Sequence, residues 1–450
     1  MARPGGARDL ALGVLSRVWN EGAYANLVLP TELASSGFTE RDKAFVTKLV
    51  YGTLRSCGEL DIVIESVAGR DISEIDSDVL ALLRMGCYQA LRMRVSDHAV
   101  VNEMVLVAKR QQFHRASGFI NAVLRSIVSR DVRYWEELIG HHEDTVVSHP
   151  RWIAHEIELA VRECEGEGEL TEVLEAHNVA PKVTLCHLPG LSEPAQTART
   201  PYSPLGSILS GGNPGDLEGV RQGVVRVQDE GSQLAALLLT RCEPLRSGET
   251  LWDMCAGPGG KTALLAAEAR IAGATVLATE VTSHRAQLVE ASVSAITAIS
   301  PQTVTVVTAD ARTRPERAPF SRILLDAPCS GLGALRRRPE ARWAKKSEQI
   351  RELVTVQKEL LTVGLDRLAP GGVLAYVTCS PVVAETAEVV SSVLGDRTDC
   401  DLLDTSEALS HIAAQRVPQA RRGSAVQLWT HRHGTDAMFI QLIRRQASIG

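Results

Sequence analysis

Apolar residues in the first 135 positions recur every three or four residues. Leu10, Val14, Leu15 and Val18 make one such stripe, and Val79, Leu80, Leu83, Cys87, Ala90 and Leu91 make another. This is the spacing of one helix face, and the segment is predicted to be all-helical, with Ser73 and Asp78 as cap-region residues ahead of the second stripe. The pattern changes near residue 145. A glutamate-rich helix leads into a short apolar strand at 183–186, and 201–215 is rich in Pro, Gly, Ser and Asn, which marks loop. From about residue 248 the rhythm is strand, turn, helix, repeated. Apolar strands are predicted at 250–254, 275–279, 304–308, 322–326 and 373–378, with a helix starting near Lys261 and two last strands near 426–429 and 437–443. Near-continuous apolar strands alternating with helices mean a parallel sheet covered on both faces. The expected architecture is multidomain: an all-α domain over 1–140, a small α+β connecting module over 145–225, and a doubly wound α/β domain over 226–450. Ligands of such sheets bind outside the carboxyl ends of the strands.

A chain of 450 residues is long enough for two or three cores. No apolar run approaches the roughly 18 residues needed to cross a bilayer. The apolar stretch after the basic N-terminus is short and Asp9 interrupts the approach, so no signal peptide is read and a cytoplasmic, monomeric protein is expected. The nine cysteines show no CxxC pair and no zinc spacing, which points to free thiols and no metal.

The net charge of −6 argues against phosphate contacts until its distribution is followed. Glu156, Glu158, Glu163, Glu165, Glu167, Glu169, Glu172 and Glu175 face Arg162 alone, so one stretch holds more than the chain's whole negative excess. Elsewhere Arg336, Arg337, Arg338, Arg342, Lys345 and Lys346 face only Glu340. Arg92, Arg94, Lys109, Arg110, Arg115, Arg125 and Arg130 face Asp97 and Glu103. Such runs are commonly solvated faces, and both are also candidate RNA contacts.

The first strand of the α/β region runs into DMCAGPGGKT, from Asp253 to Thr262. A strand, a glycine turn and a helix N-terminus form a nucleotide-cofactor site, because glycines let a ligand approach the backbone. A phosphate-binding P-loop would need glycine where Cys255 stands. Glu280 ends the second strand, where an acid hydrogen-bonds a ribose diol. Asp310 follows the third and could reach an adenine edge; either acid could instead cap a helix. The fourth strand ends in DAPCSGLG, from Asp326 to Gly333, and the fifth in Thr378-Cys379-Ser380-Pro381. Cys329 and Cys379 thus sit in polar turns at the carboxyl ends of adjacent strands. Packing suffices for Cys57, Cys87, Cys164, Cys186, Cys242 and Cys400.

In this order, DMCAGPGGKT, DAPCSGLGALRRRPEARW and VTCSP closely resemble the RsmB/Sun (also called Fmu) family of bacterial 16S ribosomal RNA cytosine-C5 methyltransferases. VQDEGSQL (227–234) and HGTDAMF (433–439) match more weakly. FINAVLR (119–125) and VNEMVLVAK (101–109) make the helical domain similar to the NusB-type RNA-binding domain of that family. The resemblance covers nearly the whole chain. Departures are small: Glu280 for the usual aspartate, Gly257 for a common alanine, DAMF for DGFF. The resemblance implies a Rossmann-like class I methyltransferase domain and an RRM-like connecting module. It implies S-adenosylmethionine bound by Cys255, Ala256, Gly257, Pro258, Gly259, Gly260, Lys261, Glu280, Arg285, Asp310 and Asp326, and 16S rRNA, free or partly assembled, as the partner. It also implies the roles at the reacting end. Cys379 would attack cytosine carbon-6, Asp326 would bind the N3/N4 edge, Cys329 would assist the final elimination, and Lys261 would orient or activate the site. The basic segment 335–346 is expected to be flexible and to flank the entry of an unstacked base.

Other readings stay open. Methylation of tRNA or of another rRNA site is one, and a non-catalytic RNA-binding factor is another, although intact Asp326, Cys329 and Cys379 speak against the second. An adenine N6 enzyme would show a DPPY-type turn in place of DAPC. In DNA cytosine methyltransferases the Pro-Cys cysteine, here Cys329, is the nucleophile, so the two cysteine roles could be reversed.

Overall fold

The computed structural model describes residues 6–93, 95–141, 147–164, 168–195, 198–313, 319–395 and 397–447. Arg94, Glu165 and Glu167 of the charge runs, and residue 145 at the expected module boundary, lie outside the described residues. The chain divides into two compact units.

The first unit comprises Met1–His155, His177–Val179 and Leu335–Lys345. Its helices are Ala7–Glu21, Ala25–Ser35, Glu40–Arg55, Cys57–Ala68, Ser77–Arg92, Asp97–Arg110, Ser117–Val128 and Val132–Gly140. The stripes read from the sequence are its core: Val14, Leu15, Leu83 and Cys87 are buried together with Leu49, Ile64, Met104 and Trp135. The helix at Ser77 is capped one turn position away from expectation. Asp76, not Ser73 or Asp78, accepts from the amides of Asp78 and Val79.

The basic segment departs from its expected role as a flexible strap. Residues 341–344 form a short helix, and Leu335, Arg336, Glu340, Ala341 and Arg342 are buried. Arg342, with no exposed surface, donates to the Ser148 carbonyl (3.0 Å), the Asn178 side-chain oxygen (2.6 Å) and the His177 carbonyl (2.7 Å). It therefore ties three distant stretches of this unit together. Burial, reinforced by the nearby Arg55, pushes its pKa down to about 9. The Glu340 carboxylate accepts from the Ala25 amide at 3.2 Å, and the Arg338 guanidinium lies 5.3 Å from the Tyr24 ring. The second basic run is also partly consumed: Arg92 pairs with Glu59 and Glu136, and Arg110 with Asp9.

The second unit comprises Glu156–Ala176, Ala180–Ala334 and Lys346–Gly450. The glutamate-rich stretch is two helices, Arg151–Glu163 and Leu170–Asn178. Between them Glu169 binds His431 at 2.6 Å and Arg432 at 2.7 Å, and the Arg432 hydrogen bond leads in holding its carboxyl down to about 2. Within this unit a three-stranded antiparallel sheet is formed by β1 (Thr184–His187), β2 (Gly206–Ile208) and β3 (Val225–Val227), ordered β2-β1-β3. β2 falls in the stretch marked as loop: its Gly206 admits the Thr200 side chain, which would stand 2.0 Å from an added Cβ.

The large sheet contains β4 (Thr250–Asp253), β5 (Thr275–Glu280), β6 (Val304–Thr308), β7 (Phe320–Asp326), β8 (Leu368–Thr378), β9 (Cys400–Leu402), β10 (Arg421–Arg422), β11 (Ala425–Gln427) and β12 (Phe439–Arg445). Its order is β10-β11-β12-β8-β7-β4-β5-β6, with β9 beside β12. The run β8-β7-β4-β5-β6 is parallel, whereas β12 joins β8 antiparallel. Side chains alternate between two cores. Leu251, Leu324 and Ala375 pack on one face with Leu234 and Leu264, and Trp252, Ile323, Leu325 and Leu374 on the other with Leu361 and Leu365. The helix Gly260–Ala272 starts one residue before the sequence expectation.

Arg342→Ala strands one buried and two half-buried oxygens and opens a cavity. A loss of about 3 kcal/mol is expected, against less than about 0.5 kcal/mol for Arg338→Ala on the surface. Urea unfolding followed by circular dichroism measures both, and an unshifted midpoint for Arg342→Ala would refute its structural role.

Candidate active site

The turn after β4 shows why glycine stands where it does. Gly259, at φ +104, is the N-cap of Gly260–Ala272, and an added Cβ would meet Ser292 Cβ at 2.6 Å and Val289 Cα at 2.9 Å. The Ser292 hydroxyl donates to the Pro258 carbonyl at 3.0 Å, and Ala256 donates its amide to the Thr279 carbonyl at 2.9 Å. The peptide between Gly257 and Pro258 is cis. A Cβ on Gly257 would lie 2.3 Å from Glu280 Oε2.

That last contact reveals what Glu280 does within the chain. Its side chain is buried at the end of β5, and it accepts from the Gly257 amide at 3.0 Å and the Thr282 amide at 3.0 Å. Arg285 donates to the Gly257 carbonyl at 2.6 Å and lies 3.5 Å from Glu280. The two thus brace the glycine turn. Asp310 is held in a fork by Arg312, at 2.7 Å and 3.1 Å, and that hydrogen bonding keeps its carboxyl below the ordinary range. Cys255 is no nucleophile: burial, with Asp253 next, drives its thiol far up.

At the neighbouring strand ends four expected residues converge. Lys261 Nζ donates to Asp326 Oδ2 at 2.8 Å and to Ser232 Oγ at 3.3 Å. Burial opposes its charge, but Asp326 and, more weakly, Cys379 outweigh it and raise the Lys261 pKa. The Cys329 and Cys379 sulfurs are 3.4 Å apart, both free thiols. The hydrogen bond to Cys379, then burial, then the Cys379 charge push the Cys329 thiol well above its usual value. Either sulfur can be the donor in this contact, and the raised pKa makes the Cys329 thiol hard to ionise. Gly333 closes this loop. Its amide donates to the Cys379 carbonyl at 2.9 Å, and a Cβ there would stand 2.1 Å from the Ala437 carbonyl.

Known proteins match the chain over nearly its whole length. A family model described as 16S rRNA methyltransferase RsmB/F matches residues 242–444, and the NusB family model matches residues 6–129. Rv1407 of Mycobacterium tuberculosis, whose name marks it as a candidate methyltransferase, is 43% identical over 98% of this chain and 96% of its own. Ribosomal RNA small subunit methyltransferase B of Pseudomonas putida is 32% identical over 98% of this chain and 99% of its own. The chain belongs to the RsmB/F family of 16S rRNA methyltransferases. The crystal structure of PH0851 shares the fold, with a TM-score of 0.79 at 20% identity over 98% of this chain and 99% of that one. A methyltransferase homolog from Pyrococcus horikoshii overlaps 66% of this chain and 99% of its own at a TM-score of 0.51 and 23% identity.

As in the sequence reading, the NusB-like helices precede a Rossmann-like methyltransferase sheet. Among the described residues no helix is long and apolar enough to cross a membrane, and no cluster of three His, Cys, Asp or Glu could hold a metal ion.

Three residues escaped the sequence reading. Gln228 is buried, abuts Gly260, and has neither side-chain amide atom hydrogen-bonded. It lies in VQDEGSQL, which was noted only as a match. Asp253 is buried beneath the turn, with Thr262 Oγ1 donating to it at 2.7 Å; its place at the end of β4 was the available signal. Glu385 carried no signal at all. For Asp253, burial, with Asp326 adding to it, outweighs the Thr262 bond and pushes the carboxyl up to about 7.

A raised carboxyl pKa destabilises as pH climbs. The unfolded chain loses the Asp253 proton near pH 4 while the folded chain keeps it to about 7. Between those values the folded state therefore loses stability relative to the unfolded one. Asp253→Asn removes this penalty, so its unfolding temperature should gain on the wild type by several degrees between pH 5 and pH 8. Equal gaps at both pH values would show that Asp253 does not titrate there.

Proposed function

We propose that this protein transfers a methyl group from S-adenosylmethionine to carbon-5 of a cytosine in 16S ribosomal RNA, through a transient bond between Cys379 and carbon-6. The carrying observation is the pair of sulfurs 3.4 Å apart beside the Lys261–Asp326 ion pair. S-adenosylmethionine supplies an electrophilic methyl group when bound. The residues fit it: a helix N-terminus opens behind a glycine-rich turn, and the unpartnered Gln228 amide lies against Gly260. Cys255, Ala256, Gly257, Pro258, Gly259, Gly260 and Lys261 would line that turn, with Glu280 and Arg285 bracing it and Asp310 and Asp326 at its rim.

Cytosine carbon-5 is a poor nucleophile. The Cys379 thiolate attacks carbon-6, and the ring electron pair moves to carbon-5, which takes the methyl group. Asp326, already bound to Lys261 through Oδ2, accepts from the cytosine N4 amino group, and Lys261 keeps a fixed positive charge beside the site. Once Cys379 has become a thioether its charge no longer opposes ionisation of Cys329. Cys329 then yields its proton to solvent and takes the proton from carbon-5. The carbon-6–sulfur bond breaks, the double bond reforms, and the electron pair returns to Cys379. The upward push on the Cys329 thiol favours this order of roles, since it leaves Cys379 as the first attacker.

The helical region 1–140 is assigned to RNA affinity and target choice, 145–225 to connection, and 226–450 to chemistry. Family membership and the NusB-type region support 16S rRNA over tRNA. The target base has to be unstacked, in a loop or junction of the RNA.

Asp310→Ala should weaken S-adenosylmethionine binding by about tenfold with RNA binding intact; unchanged affinity by calorimetry removes Asp310 from the site. The cysteine roles separate on denaturing gels. Cys379→Ala should neither methylate nor form a protein–RNA adduct. Cys329→Ala should attack and release slowly, accumulating a covalent complex that survives denaturation. An adduct from Cys379→Ala and none from Cys329→Ala reverses the assignment.

A further inference from the structure

Glu385 lies six positions past Cys379 and is completely buried. Both of its carboxylate oxygens are spent on the two cysteine loops. Oε1 accepts from the Ser330 amide at 2.7 Å and from Gln357 Nε2 at 3.2 Å. Oε2 accepts from the Ser330 hydroxyl at 2.5 Å and the Ser380 hydroxyl at 2.6 Å. Ser330 directly follows Cys329, and Ser380 directly follows Cys379. Gln357 also donates to the Pro328 carbonyl at 2.8 Å, so the residues on both sides of Cys329 are fixed. The Tyr376 hydroxyl in turn fixes Glu385, donating to its carbonyl at 2.7 Å.

We infer that Glu385 is a positioning residue, which bolts the Cys329 and Cys379 loops together at the sulfur–sulfur separation that the reaction uses. The inference rests on the proposed two-cysteine chemistry for its purpose, but its geometry stands on the hydrogen bonds alone. A carboxylate is acceptor-only and offers about four lone-pair positions, and four donors fill them here. Glutamine turns an NH2 group toward donors: on one side it faces the Ser330 amide and Gln357, and on the other it leaves the two serine hydroxyls to each other, 3.0 Å apart. Aspartate is one methylene shorter and cannot span both loops. The negative charge has a second consequence. It is among the groups that push the Cys329 thiol up.

The test needs neither RNA nor turnover. In the full-length protein, diamide takes up two hydrogens as the two thiols close to a disulfide, and mass spectrometry of the linked peptides follows the rate. Wild type should close readily. Glu385→Ala and Glu385→Asp should slow closure by about tenfold or more, since each loses buried hydrogen bonds that hold the loops. Glu388→Ala, at an exposed neighbour, should match wild type. Glu385→Gln retains volume and serves if the alanine variant does not fold. It should slow closure while the other seven cysteines react with iodoacetamide at their wild-type rates, whereas loosening of the fold would speed their labelling. Wild-type closure in the glutamine and aspartate variants, slowed closure that comes only with faster labelling of the other seven cysteines, or a wild type that does not close, overturns the inference. Slowed closure together with failure of the adduct experiment would count against cytosine chemistry and leave the role of Glu385 standing.

Discussion

The parallel pairing of β7 with β8 is the constraint on which the site depends. Asp326 lies opposite Val377, and the ladder continues one step further through the Ala327 amide, which donates to the Val377 carbonyl at 2.8 Å. Parallel strands finish at the same edge, so the turns carrying Cys329 and Cys379 leave the sheet side by side. The register is secured by the faces: Ile323, Leu325, Leu374 and Tyr376 enter one core, and Leu324, Ala375 and Val377 the other. A slip of one residue would exchange those faces. It would also displace one sulfur by about 3.3 Å, as much as the whole sulfur–sulfur separation of 3.4 Å. Hydrophobic packing some distance from the chemistry thus fixes the distance at which the chemistry works.

The same convergence concentrates charge. Asp253, Asp326 and Cys379 all lie within electrostatic reach of one ammonium, that of Lys261. One cation cannot offset so many anions in a poorly solvated site, and the structure resolves this by keeping protons. Burial holds one on Asp253 up to about pH 7, and the neighbouring sulfur holds one on Cys329. The direct ion pair goes to Asp326. Selective protonation therefore distinguishes groups that look equivalent in the sequence.

What the sequence made legible was local. The alternation of apolar strands with helices located β4 to β8 to within a few residues, because period and burial are written in consecutive positions. The glycine turn was equally readable, since Gly259 needs its positive φ whatever surrounds it. Long-range partners were not readable. Glu280 is read as a ribose ligand from its strand end alone, and the amides of Gly257 and Thr282 that it also binds are not visible in the pattern. β2 was hidden in a turn-rich stretch, because three residues paired to a distant strand leave no periodic signature. Glu385 stands among ordinary polar residues and acquires meaning only when Ser330, fifty-five positions away, is brought to it.

Charge runs illustrate the same limit from the other side. Read along the chain, the arginines of 336–342 form a basic patch and the glutamates of 156–175 an acidic face. In the fold, Arg342 is the most deeply buried of the arginines in its run and binds oxygens that carry no formal charge. Glu169 clamps His431 and Arg432. Arg92 and Arg110 are committed to carboxylates of their own domain. Phosphate binding requires cations that can exchange counterions with solvent, a condition that Arg342 cannot meet and that exposed Arg338, Lys346, Lys109, Arg115 and Arg125 can. Any RNA surface of this enzyme therefore has to be drawn from the exposed subset, and the length of a basic run overstates what it offers to a phosphate backbone.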